Sequence, residues 1–114
     1  YGNELDGIFC VNETSTVGML LALQDIDKAG KVVLIGFDTN EILIDAMRQD
    51  HLQGLVVQNP FLMGYLGVQT LVKHLIGEPV ANRVDTGVVM VTPERLDDME
   101  IKDLIYPPMD QYLE

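Results

Sequence analysis

Three short apolar runs punctuate the sequence, and each stops at a polar residue: GIFCV runs into Asn12, VLIGF into Asp38, and GLVV into Gln58 and Asn59. After each run comes a stretch with helical spacing of apolar residues. Parallel strands require a crossover long enough to hold a helix, so this alternation predicts βαβ units around a parallel sheet. At 114 residues the chain can bury one sizeable core but not two independent ones.

The first strand is expected over residues 7–11. Thr14 or Ser15 then offers an N-cap oxygen for a helix whose stripe is Val17, Leu20, Leu21 and Ala22, continuing to Ile26. Gly30 is expected at its C-cap, with Lys28 and Lys31 favouring the negative helix end. Residues 31–37 form a second strand, apolar on both faces, as helices on both sides of a sheet require. A helix over 41–52 follows, with Ile42, Leu43, Ala46 and Met47 inward. The third strand covers 55–58. Asn59 then caps a helix whose Pro60 suits the first helical position, whose apolar face is Met63, Leu66, Leu71 and Leu75, and which ends before Gly77. A fourth strand is expected over 84–92, with Gly87 as a bend or bulge. The last 22 residues lack a clean period, so they are expected to run as a surface tail with one turn of helix around 97–104.

Charge narrows the function. Seven basic against eighteen acidic residues give a net charge of −11, which repels phosphate backbones and anionic surfaces, so nucleic acid is not an expected direct partner. No apolar run approaches the roughly 20 residues needed to cross a bilayer. Cys10 is the sole cysteine and lies in an apolar run, where it reads as a small buried hydrophobe with no intrachain disulfide. The opening YGNELDGIF has no initiator methionine and enters a strand within a few residues, so the sequence reads as part of a longer protein.

Catalytic and metal chemistry find little support. His51 and His74, the two histidines, have no Cys, His or Glu at ligand spacing, so no metal site is expected. GFDTN lacks the lysine of a phosphate loop, and nothing fits GxGxxG. Ser15, the only serine, has no histidine placed to activate it. The acids of ERLDDME lack the alternation of a calcium loop and read as a solvated face. No enzyme activity and no cofactor are expected.

In an open parallel sheet every strand's carboxyl end lies on one edge, and ligands bind in the crevice outside it. Asn12, Asp38 and Gln58 are therefore expected to line one rim. Two amides and a carboxylate suit a neutral ligand rich in hydroxyls. Each position also has a plainer reading, in which Asn12 starts a turn and Asp38 caps the next helix.

The segments DGIFCVNETSTVGMLLAL, VVLIGFDTN and LQGLVVQNPFLMGYLGVQTLVKHLIGEPV resemble the C-terminal part of type I periplasmic sugar-binding proteins, the ribose-binding-protein-like receptors of ABC transporters. The resemblance runs over residues 6–92. It implies an incomplete three-layer α/β/α fold with a parallel, Rossmann-like or flavodoxin-like sheet, and binding of a monosaccharide. By the same resemblance Asp38 takes two sugar hydroxyls, Asn12 and Gln58 orient the ring, and Asn59 and Pro60 are hinge residues. Residues 1–58 then belong to the C-terminal lobe, 59–83 to the hinge and a helix of the other lobe, and 84–114 to a return strand and tail. A membrane permease is the implied partner of the intact protein, and the implied location is periplasmic or extracytoplasmic. An unpaired apolar sheet edge tends to recruit another chain, so the chain by itself is expected to self-associate, by exchanging the helix over 61–76 or the return strand. The rival reading is the effector-binding domain of a lactose-repressor-family transcription regulator, which shares the fold.

Overall fold

The computed structural model describes residues 4–111. In chain order the elements are β1 (Gly7–Phe9), α1 (Glu13–Asp25), β2 (Val33–Phe37), α2 (Glu41–Arg48), β3 (Gly54–Gln58), α3 (Pro60–Leu75), β4 (Val88–Val91) and α4 (Met99–Ile105), with single 3-10 turns at Pro93–Arg95 and Met109–Gln111. Two compact units result. Residues up to Val57 together with those from Val89 onward make the first, and Gln58–Val88 make the second.

The sheet order is β1-β2-β3-β4. β1 and β2 run parallel with Ile8 opposite Leu34, and β2 and β3 run parallel with Gly36 opposite Leu55. Because consecutive strands are neighbours, right-handed crossovers place α1 and α2 on the same face of the sheet. α1 packs on β2 and touches α2. Leu20 and Leu23 of α1 and Leu43, Ile44 and Met47 of α2 close over Leu34, Leu55 and Val57. Each such side chain contributes about 1.5–3 kcal/mol relative to exposure. On the opposite face of β2, Val33 is 49% exposed.

Several boundaries differ from expectation for local reasons. β1 ends at Phe9, although Cys10 N–H still donates to Ile35 O at 2.9 Å. α1 is capped by Asn12, not by Thr14 or Ser15; the Asn12 Oδ1 accepts from Ser15 N–H at 2.8 Å. Its inward residues are Thr16, Leu20 and Leu23, whereas Leu21 is exposed. In α2 the inward set includes Ile44 in place of Ile42, and the helix stops at Arg48.

All three longer helices end in the same closure, in which the residue after the cap turns left-handed and two amides fold back on the last turn. After α1, Asp27 N–H reaches Gln24 O and Lys28 N–H reaches Leu23 O, with Asp27 at φ 54°. After α2, Asp50 (φ 57°) N–H and His51 N–H reach Met47 O and Ala46 O. After α3, Gly77 (φ 81°) and Glu78 do the same to His74 and Lys73. Asp27 therefore takes the role expected of Gly30, which lies in the turn beyond.

The segment after β4 corrects the sequence reading most. Leu96 and Ile101 are buried with Val91 in the core of the first unit, so this stretch is structural and not a surface tail. Arg95 donates to Met90 O at 2.9 Å and pairs with Asp98, which fastens the turn to the strand. β4 itself is shorter than expected: Gly87 (φ 70°) precedes it, its N–H bonded to Asp85 Oδ1. Residues 112–114, the end of the expected tail, lie outside the described residues.

In the second unit, Asn59 Oδ1 accepts from Leu62 N–H at 2.9 Å and Pro60 opens α3. Met63, Leu71 and Leu75, expected on a packed face, are exposed, and no residue of α3 is fully buried.

Candidate functional site

Asp38 is the first residue past β2, and its backbone is left-handed at φ 59°. That region is uncommon for a residue with a Cβ. Asp27 and Asp50 share it, but both close helices; Asp38 follows a strand, where no helix end calls for it. Backbone in this region persists when surrounding contacts hold it, and such positions concentrate where a side chain must be aimed.

The holding contacts are visible. Asp38 N–H donates to Val56 O at 2.8 Å across to β3. One residue earlier, Phe37 N–H donates to Thr16 Oγ1 at 3.2 Å. Two residues later, Asn40 caps α2 through Leu43 N–H at 2.9 Å and donates from Nδ2 to Glu13 Oε1 at 2.7 Å. Asn40, not Asp38, is thus the cap of α2. The half-buried Asp38 carboxylate accepts no hydrogen bond and joins no ion pair among the described residues.

Asn12 sits at the equivalent place after β1. Its side-chain oxygen is used on Ser15 N–H, while its carbonyl accepts from Thr16 Oγ1 at 2.7 Å and from Ser15 Oγ at 3.0 Å. The capping role is therefore real, yet it consumes only the acceptor. The Nδ2 donors make no hydrogen bond among the described residues. A carboxylate with open acceptor positions and an amide with open donors are complementary to hydroxyls, which both donate and accept. The shared Thr16 hydroxyl ties the Asn12 and Asp38 turns together. Gln58, half-buried, ends β3 and opens the second unit; Asn59 and Pro60 follow it at the start of α3.

Thr16, Glu13 and Asn40 escaped the sequence reading. Asn40 was detectable, because it stands directly before EILI with cap spacing. Thr16 offered only the clue of a glycine, Gly36, in a strand otherwise made of large apolar residues.

Elsewhere the titratable groups do ordinary work. Burial pushes the Cys10 thiol up from its usual range, and a hydrogen bond with the Ser15 side chain partly offsets this. His51 is half-buried with Nδ1 3.2 Å from Gln24 Nε2. Among the described residues no group of three or more His, Cys, Asp or Glu is placed to hold a metal ion, and no helix is long and apolar enough to cross a membrane.

The periplasmic binding protein domain model matches residues 1–79. The chain belongs to this family. The ribose import binding protein of Haemophilus influenzae is 29% identical over 89 residues, a match that covers 78% of this chain and 30% of that protein. Among solved structures, an ABC transporter solute-binding protein from Agrobacterium vitis with bound D-fucose is 43% identical, with a TM-score of 0.86 over 92% of this chain and 36% of that one. A carbohydrate transporter solute-binding protein from Agrobacterium radiobacter in complex with D-arabinose is 34% identical, with a TM-score of 0.84 over 90% of this chain and 35% of that one. The chain thus spans about a third of the length of the family members it matches, and its fold is the α/β type I periplasmic binding protein fold with an open, mostly parallel sheet.

Proposed function

We propose that this chain supplies the strand-end side of a monosaccharide site in the substrate-binding protein of an ABC transporter, and that it is a binding module and not an enzyme. One observation carries the reading: a left-handed Asp38 with an uncommitted carboxylate, pinned beside an Asn12 whose amide donors are uncommitted. Asp38 accepts from two hydroxyls of the sugar, and Asn12 donates to a ring or hydroxyl oxygen. Gln58 adds a second amide from the end of β3. Charge-assisted bonds of this kind are worth about 1.5–3 kcal/mol each.

Under the same proposal residues 1–58 belong to one lobe, Asn59 and Pro60 begin a hinge, 59–83 reach into the other lobe, and 84–114 return. Closure is favoured only to the extent that sugar binds the closed arrangement more tightly. A membrane permease receives that closed form, and the protein works outside the cytoplasm. The exposed apolar surface of α3 also supports self-association of this chain when it is alone. The sugar-bound transport relatives favour this function over that of a repressor-type effector domain.

The test is titration calorimetry of the full-length protein carrying this sequence against D-fucose, D-arabinose, D-tagatose and D-allose. Asp38→Asn tolerates the left-handed backbone while removing the charge, and it is expected to abolish binding of whichever sugar the unaltered protein takes. Unchanged affinity in that variant removes Asp38 from the site.

A further inference from the structure

We infer that the Thr16 hydroxyl is a positioning group for sugar recognition, setting the spacing between the Asn12 and Asp38 turns; the inference rests on the proposed sugar site. Thr16 is fully buried, and among the described residues it is the one buried polar side chain. A hydroxyl has one proton and two acceptor positions. Here the proton goes to Asn12 O at 2.7 Å, while an acceptor position receives Phe37 N–H at 3.2 Å.

The first of these bonds alone has an ordinary explanation, since threonines in helices often donate back to the carbonyl four residues earlier. The second does not. Phe37 belongs to a different element, and its amide lies one residue before Asp38. A single oxygen therefore links the carbonyl of one ligand-facing residue to the amide that precedes the other. Filling the same volume requires no oxygen, because valine has nearly the same shape. Gly36 makes the link possible, for any side chain there would collide with Thr16. The Glu13–Asn40 bond at 2.7 Å fastens the far side of the same turn, so Asp38 is held between two ties that both start from the first turn of α1.

Misplacing a recognition group by a fraction of an ångström to an ångström weakens its bonds steeply. The experiment compares Thr16→Val, which keeps volume and loses the hydroxyl, with the pair Thr16→Ser and Thr16→Ala, which differ from each other by one hydroxyl. Each is made in the full-length protein and titrated against the same four sugars, with Asp38→Asn as control. Thr16→Val and Thr16→Ala are expected to weaken binding about tenfold or more, while Thr16→Ser stays within about threefold. This order differs from the order of thermal stability, because Ser loses a buried methyl that Val retains. Hydrogen exchange of the Phe37 amide in the sugar-free protein is expected to be faster in Thr16→Ala than in Thr16→Ser. Wild-type affinity in Thr16→Val and Thr16→Ala, with binding lost in Asp38→Asn, overturns the positioning role and leaves the site standing. Wild-type affinity in Asp38→Asn overturns the site and this inference together. Equal Phe37 exchange in the Ser and Ala variants also overturns the inference, and it does so without any ligand.

Discussion

Gly36 and Thr16 fit as a pair: a Cβ on Gly36 would overlap Thr16 Cγ2, and it would stand 2.7 Å from the Thr16 hydroxyl oxygen and 2.9 Å from Leu55 Cδ2. The absence of a side chain at Gly36, the next-to-last residue of β2, is what lets α1 approach closely enough for its threonine to reach the strand's last amide.

Gly36→Ala is therefore expected to destabilise the first unit by about 1–3 kcal/mol through overpacking. Urea denaturation reads this directly. Thr16→Ala opens space at the same point, so the double variant should lose less than the sum of the two single losses. Strict additivity would show that the two residues do not compete for one volume.

The second tie to the Asp38 turn, Glu13 with Asn40, gives a charge test. Asn40→Ala loses the α2 cap and should cost about 1 kcal/mol. Asn40→Asp keeps a cap oxygen but turns a donor into a carboxylate facing Glu13 Oε1, and it too should be destabilised. Adding Glu13→Gln is expected to recover the Asp variant and not the Ala variant. Recovery of both, or of neither, in urea titrations would mean that the 2.7 Å contact does not couple the two helix starts.

The strand–helix alternation was legible because apolar runs and helical stripes differ in period, and a parallel sheet then places Asn12, Asp38 and Gln58 at strand ends. The Asn59 cap of α3 was legible too, standing directly before Pro60, but the cap of α1 was not. Asn12, Thr14 and Ser15 are all capping residues within four positions, and only three-dimensional geometry shows which oxygen reaches an amide. Ile42 and Ile44 flank the same turn of α2, so the apolar stripe admitted either until the sheet chose Ile44. Thr16 was hidden for a different reason: in ETSTV it resembles one more capping residue, and its bond to Phe37 spans 21 positions. The left-handed backbone of Asp38 has no counterpart in composition or period at all.

The buried segment after β4 was illegible for want of a repeating pattern, since among its described residues only Leu96 and Ile101 are buried. Ile101 is 1% exposed and Met99, two residues earlier, is 80% exposed. Ile101→Ala is expected to lower stability by about 2–5 kcal/mol, with Met99→Ala within about 0.5 kcal/mol of the parent. Equal effects in denaturant midpoints would return this segment to the status of a surface tail.

Three aspartates with positive φ, Asp27, Asp50 and Asp38, separate structural from functional strain. A side chain in the left-handed region is disfavoured by roughly 1–2 kcal/mol relative to the right-handed one, with Asp penalised less than most, and glycine escapes the penalty. Replacing any of the three by glycine should therefore leave stability equal or raise it by up to about 1 kcal/mol, with part of the gain offset by the greater freedom of the unfolded chain. The sugar affinity should split the set. Asp27→Gly and Asp50→Gly close α1 and α2 as Gly77 closes α3, and they should bind as the parent does. Asp38→Gly is expected to fold at least as well and to bind no sugar, because the strained backbone there serves to aim a carboxylate. Calorimetry beside thermal unfolding of the three variants decides the matter: loss of binding in all three, or in none, would show that left-handed backbone at Asp38 has no special tie to the ligand.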